Sequence, residues 1–157
     1  MGIAFTVNGA TKTVDVPETT SLLEALRNHL GLMGTRYGCG LEQCGACTVL
    51  VDGEPVFACT RETGTVAGRS VTTIEGLGTP DKLHPQQQAF LDEQAGQCGY
   101  CLSGIILSAK ALLDRTPKPS RAQSVEALDR HLCRCGTHQR IIRAVERAAH
   151  TNQGGVA

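Results

Sequence analysis

Ile3 to Val7 alternates apolar and polar positions, the period of a half-buried strand. Asn8-Gly9 follows as a two-residue turn signal, and Lys12 to Val16 repeats the alternation, so the chain is predicted to open with a β-hairpin that Pro17 ends. Thr20 or Ser21 can cap the next element, in which Leu22, Leu23, Leu26 and Leu30 recur at helical spacing until Gly31 stops the run. Thr48 to Val51 and Val56 to Ala58 read as a second strand pair around the turn Asp52-Gly53, and Val71 to Ile74 as a fifth strand. Residues 1–76 are therefore expected to form a small mixed sheet covered by one helix.

Beyond a Gly- and Pro-punctuated linker at 77–84, the period changes from two to about 3.6. Pro85 suits a first helical position and opens a stretch through Gln94. Leu102, Ile105, Ile106, Ala109, Leu112 and Leu113 mark a second helix, broken by Pro117 and Pro119. Ser120 and Gln123 have capping-box spacing before Val125, Leu128 and Leu132, and Thr137 can cap a last helix carrying Ile141, Ile142, Val145 and Ala149. Residues 85–157 are read as a domain of four helices with a fraying tail from Thr151, which makes the whole chain α+β.

Composition narrows the chemistry. With 3% aromatic residues and no Trp, the two cores must be built from Leu, Ile, Val and Ala, and each half would be marginal alone. Metal ligation would supply stability, because binding free energy at such a site is also folding free energy. A formal net charge of zero gives no basic field for nucleic acid. Met1 to Val7 lacks the basic and apolar regions of a signal peptide, and no apolar run approaches the roughly 20 residues needed to span a bilayer. The expectation is a cytoplasmic protein without direct membrane insertion; co-export with a signal-bearing partner leaves the periplasm open.

Eight cysteines in a reducing compartment point to metal rather than disulfides. Cys39, Cys44, Cys47 and the later Cys59 follow C-x4-C-x2-C with a distant fourth thiol, the plant-type [2Fe-2S] spacing. Gly38, Gly40 and Gly45 clear side chains from the loop so that backbone amides can approach sulfur. Structural zinc usually draws on paired C-x2-C knuckles, so iron-sulfur is the better reading of this set. Cys98, Cys101, Cys133 and Cys135 form the second set, C-x2-C and then C-x-C. Cys98 and Cys101 are expected on one face at the start of the second helix, where a helix N-terminus favours thiolate. Spacing alone leaves this set open between cluster and zinc.

The string from Gly38 to Thr48, then Gln97-Cys98-Gly99-Tyr100-Cys101, then Leu132-Cys133-Arg134-Cys135-Gly136, resembles the small iron-sulfur subunits of the molybdenum hydroxylase (xanthine oxidase) family over nearly the whole chain. The resemblance implies an N-terminal β-grasp ferredoxin-like domain and a C-terminal four-helix bundle, each holding one [2Fe-2S] cluster. It further implies a large partner subunit carrying a molybdopterin cofactor in its cytosine dinucleotide form. The second cluster would lie nearer molybdenum, with Gln97 and Cys135 touching the pterin. The first would pass electrons to FAD on a medium subunit or to another acceptor such as a cytochrome. Leu102-Ser103 and Gly136-Thr137-His138 depart from the commoner Thr-Pro and Thr-Gly-Tyr of the family, and Cys133-Arg134-Cys135-Gly136-Thr137 resembles the branch of isoquinoline oxidoreductase, nicotinate dehydrogenase and aldehyde-oxidising enzymes. On this reading the chain is an electron-transfer subunit for aldehyde or N-heteroaromatic oxidation.

A zinc-stapled adaptor with two structural four-cysteine sites is the alternative. No paired carboxylate or Ser/His/Asp set stands out as catalytic, so substrate chemistry is assigned to the partner. His131 and His138 flank the second motif and could modulate it by hydrogen bonding, and Arg36, Arg134 and Arg140 could donate near a cluster.

Overall fold

The computed structural model describes residues 2–151, so the predicted tail beyond Thr151 lies outside the described residues. Strands β1 (Ile3–Val7), β2 (Ala10–Val14), β3 (Thr48–Val51), β4 (Glu54–Phe57) and β5 (Ser70–Thr72) form one sheet in the order β2-β1-β5-β3-β4. β1 and β5 are parallel and the other neighbours antiparallel. Both hairpins turn on residues with positive φ, Asn8 (51°) with Gly9 (83°) and Asp52 (51°) with Gly53 (85°), as two-residue primed turns require. Those tight turns also explain two shifted boundaries. β2 starts at Ala10 rather than Lys12 because Ala10 pairs directly with Val7, and β4 starts at Glu54 because it pairs with Val51. β5 is shorter than expected, since Ile74 already enters a 3-10 turn over Ile74–Gly76.

Ser21 caps the first helix, its hydroxyl accepting the Glu24 N–H at 3.2 Å. Only Leu22–Glu24 (α1) is α-helical; Ala25–His29 continues as a π turn in which Leu30 N–H reaches the carbonyl of Ala25. Leu22, Leu23 and Leu26 still face the sheet and pack in a core with Phe5, Val49 and Val71.

The second half contains α2 (Pro85–Asp92), α3 (Leu102–Arg115), α4 (Arg121–Leu128) and α5 (His138–Thr151). Phe90, Ile105, Leu112, Ile141 and Val145 lie at the heart of its core. The capping box of Ser120 and Gln123 forms as predicted, but α4 ends at Leu128, leaving Leu132 outside it and exposed. No described helix is long and apolar enough to cross a membrane.

α3 also packs on β3, where Leu50, Leu107 and Ala111 form a third small core between the halves. Gly104 on α3 makes this approach possible. A Cβ there would lie 2.1 Å from the carbonyl oxygen of Gly45, inside the first cysteine loop.

α2 has an unusual cap with a pH consequence. His84 Nδ1 accepts the N–H of Gln86 at 3.2 Å and must be unprotonated to do so. Burial, with a smaller effect of the Lys110 charge, holds His84 below the usual imidazole range. Between the folded value and the unfolded value of about 6.5, the unfolded chain binds more protons, so this stabilisation is full above about pH 6.5 and is lost as pH falls through the folded value. His84→Asn, which keeps an acceptor without titrating, is expected to lessen the fall in Tm between about pH 7.5 and about pH 5.5. Parallel thermal melts of the two proteins check this; an identical fall would place the pH sensitivity elsewhere.

Candidate metal centres

The first loop wraps around its thiols through backbone geometry. Cys39 Sγ accepts the N–H groups of Leu41 at 3.3 Å and Gln43 at 3.2 Å, while Cys44 Sγ accepts the N–H of Cys39 at 3.3 Å. Gly38 permits this approach, since a Cβ there would stand 2.6 Å from Cys44 Sγ. Gly40, Glu42 and Gly45 all have positive φ, and Glu42 is the one residue of the three for which that conformation carries a side-chain penalty. The Leu41 and Gln43 N–H groups bring Cys39 down to about 7, whereas burial pushes Cys47 up to about 12. The same loop thus holds one thiol whose ionised form the backbone favours and one whose ionised form burial disfavours.

Cys47 lies directly before β3 and Cys59 two residues after β4, so the β3–β4 hairpin returns the fourth thiol to the loop as predicted. The four thiols lie within reach of one another: Cys39 contacts Cys44, Cys47 contacts Cys59, and Cys44 also acts on Cys47.

The second set assembles from three segments, and Cys98 and Cys135 approach to 3.6 Å between sulfurs while Cys101 contacts Cys133. Their setting differs from the expected helix face. Cys98 and Cys101 occupy the turn before α3, where Gly99 has φ of 76°, and Cys101 is the N-cap residue. At Cys101, burial and the neighbouring Cys133 push the thiol up to about 12 in spite of the helix end. For Cys133, burial acts upward, but hydrogen bonding to Thr137 and Cys101 outweighs it and the thiol is lowered; Thr137 Oγ1 stands 3.3 Å from its sulfur.

An all-thiolate donor set with backbone N–H groups aimed at sulfur, as at Cys39 and Cys44, fits a [2Fe-2S] cluster.

The two sets are tied together by contacts that spacing did not reveal. The N–H of Leu132 donates to the carbonyl of Cys44 at 3.0 Å, and Tyr100 Oη donates to the carbonyl of Tyr37 at 2.5 Å. His131 is buried at this junction, with Nε2 2.7 Å from Ser108 Oγ and its ring against Gly45; burial lowers it to about 4, so it is neutral. Gln97 is exposed and lines a cavity of about 660 Å³ with Phe90, Leu91, Leu102 and Arg140. Gln97 and Cys135 together border a smaller one of about 200 Å³. His138 lies on α5 and, with His131, borders a separate apolar cleft. Arg36 stacks on the Tyr100 ring at 5.6 Å, between the two sites. Of the residues missed from sequence, Gly104 carried a signal, an isolated glycine inside an apolar helical run; Arg130, which reaches the first loop, carried none.

Two family profiles match the chain, a 2Fe-2S iron-sulfur cluster binding domain over residues 5–69 and a [2Fe-2S] binding domain over residues 73–146. The chain is 54% identical to one of the subunits of the nicotinate dehydrogenase of Pseudomonas putida, with 96% of each chain covered. It is also 54% identical to the alpha chain of the isoquinoline 1-oxidoreductase of Brevundimonas diminuta, over 94% of this chain and 97% of that one. The solved structure of the aldehyde oxidoreductase of Desulfovibrio desulfuricans superposes with a TM-score of 0.94 at 42% identity, over 98% of this chain but 17% of that longer one. Thiols gathered in two sites, two matching cluster-binding profiles and 54% identity to two such subunits over nearly all of this chain agree: the chain belongs to the small iron-sulfur subunits of the molybdenum hydroxylase family.

Proposed function

We propose that the chain carries electrons, in an assembly with a large molybdopterin-binding subunit, from oxidation of an aldehyde or N-heteroaromatic substrate to FAD or another acceptor. The gathering of the eight thiols into two four-thiol sites is the observation that carries this reading. Cys39, Cys44, Cys47 and Cys59 would hold one [2Fe-2S] cluster, and Cys98, Cys101, Cys133 and Cys135 the other. When bound, each supplies one-electron redox chemistry, so two together can accept both electrons of a substrate oxidation.

The remaining work belongs to the chain's own residues. Leu41 and Gln43 N–H groups stabilise negative charge on Cys39, and Thr137 does so at Cys133. The Leu132–Cys44 hydrogen bond and the α3–β3 packing hold the two sites at a fixed separation. Gln97, on an exposed rim beside Arg140, offers both a donor and an acceptor to a pterin on the partner, and Cys135 lies at the same rim. That placement supports the second set as the electron entry and the first as the exit. The acceptor is FAD on a medium subunit or a cytochrome, the pterin is the cytosine dinucleotide form, and the assembly works in the cytoplasm unless its partner exports it. The chain is divided into a β-grasp domain at 1–76, a linker at 77–84 and a four-helix bundle at 85–157, a division supported by the separate cores of its halves.

Metal analysis tests the reading directly. The purified chain is expected to hold about four iron and about four acid-labile sulfides, with a visible charge-transfer spectrum. A colourless protein with about two zinc ions would sink it.

A further inference from the structure

Arg130 stands three residues before Cys133 in sequence, yet its guanidinium lies against the first site. It donates to the carbonyl oxygen of Glu42 at 2.7 Å and stacks on the Phe57 ring with 4.3 Å to the centroid. That carbonyl and the N–H of Gln43 are the two ends of one peptide group, and the N–H donates to Cys39 Sγ at 3.2 Å. A charged donor on the carbonyl draws electron density from the amide and strengthens its N–H as a donor, because linked hydrogen bonds polarise one another.

The anchorage is specific. Glu42 has φ of 58°, a conformation that needs external support in a residue with a side chain, and its carboxylate is occupied by the hydroxyl of Thr60. The guanidinium sits on the backbone carbonyl, and Phe57, on the strand that leads to Cys59, fixes its plane.

We propose that Arg130 is a positioning residue through which the second half of the chain raises the reduction potential of the first site. Reduction adds negative charge at the thiolates, and a cation acting through the Gln43 N–H favours the more negative state. The expected result is a downhill bias from the second site towards the first. The inference rests on the reading of Cys39 as a cluster ligand.

An EPR-monitored redox titration of the full chain, purified with its large subunit, tests it. The two clusters are told apart by their signals and assigned with Cys44→Ser and Cys133→Ser. Arg130→Met is expected to lower the first potential by up to about a tenfold change in its reduction equilibrium, about 59 mV for one electron, with a smaller change at the second. Arg130→Lys keeps the charge without the planar fork and is expected to shift the first potential the same way by less. Unchanged potentials, or equal shifts at both clusters, overturn the proposal. Should Arg130→Met lose a cluster, Arg130→Lys decides: a fall confined to the first cluster supports it, and no fall overturns it. Iron-free wild-type protein would instead remove the cluster reading itself.

Discussion

Cys133→Ser is expected to stop electrons at the molybdenum centre, whereas Cys44→Ser is expected to leave reduction of the second set intact and block delivery to the acceptor. The difference follows from which set stands at the rim. Cys133 is paired with Cys101 and held by Thr137 in the set that borders Gln97, while Cys44 sits in the loop on the sheet. Stopped-flow spectra of the assembled complex mixed with substrate read the two cases apart. With Cys133→Ser neither set should bleach within turnover time; with Cys44→Ser the second set should bleach and then fail to reoxidise. The opposite order would reverse the proposed direction. Each substitution also removes part of the folding free energy of its half, so circular dichroism must show the variant folded before its kinetics are interpreted.

Gly104→Ala is expected to destabilise the chain and to damage the first site from a helix of the second half. In an ordinary exposed helix the same change would stabilise by about 1 kcal/mol. Here the added Cβ meets the Gly45 carbonyl oxygen at 2.1 Å, a backbone atom that no rotamer change can move away. The loop or α3 must shift, at a cost of about 1–3 kcal/mol for overpacking or more, which outweighs the helical gain. Thermal denaturation should show a lower Tm, and EPR should show a loss of first-cluster signal beyond that of the second. Ser103→Ala is the matched control. Its hydroxyl oxygen is buried without a partner among the described residues, so its removal from the neighbouring position should cost little. A Tm for Gly104→Ala at or above wild type would show that the halves separate readily at this contact.

Much of the fold is legible because it is locally encoded. A two-residue primed turn requires positive φ at both central residues, which Asn8-Gly9 and Asp52-Gly53 adopt at little cost, and the structure has both hairpins. Ser120 with Gln123 encodes its own cap, and α3 follows its apolar period from Leu102 to Arg115. The features that differ from expectation depend on partners elsewhere. The helix after Ser21 keeps its buried face but widens into a π turn, which residue period cannot distinguish from an α-helix. The i, i+3 spacing of Cys98 and Cys101 is common to helices and turns, and Gly99 with positive φ decides for the turn. Burial raises the Cys101 thiol in spite of the neighbouring helix end, an effect that depends on what packs around it.

By itself the sequence determined that two four-thiol sets exist, that a glycine-rich loop holds the first, and that a mixed sheet is followed by helices, because spacing, turn chemistry and period act over a few residues. Only the tertiary structure decided how the sets are joined. The carbonyl of Cys44 on the N–H of Leu132, the bare approach of Gly104 to Gly45, and Arg130 on the peptide that serves Cys39 link residues about 60 to 90 positions apart. No local pattern encodes such contacts; they arise when apolar burial brings α3 onto β3, and the polar groups brought into contact there find one another.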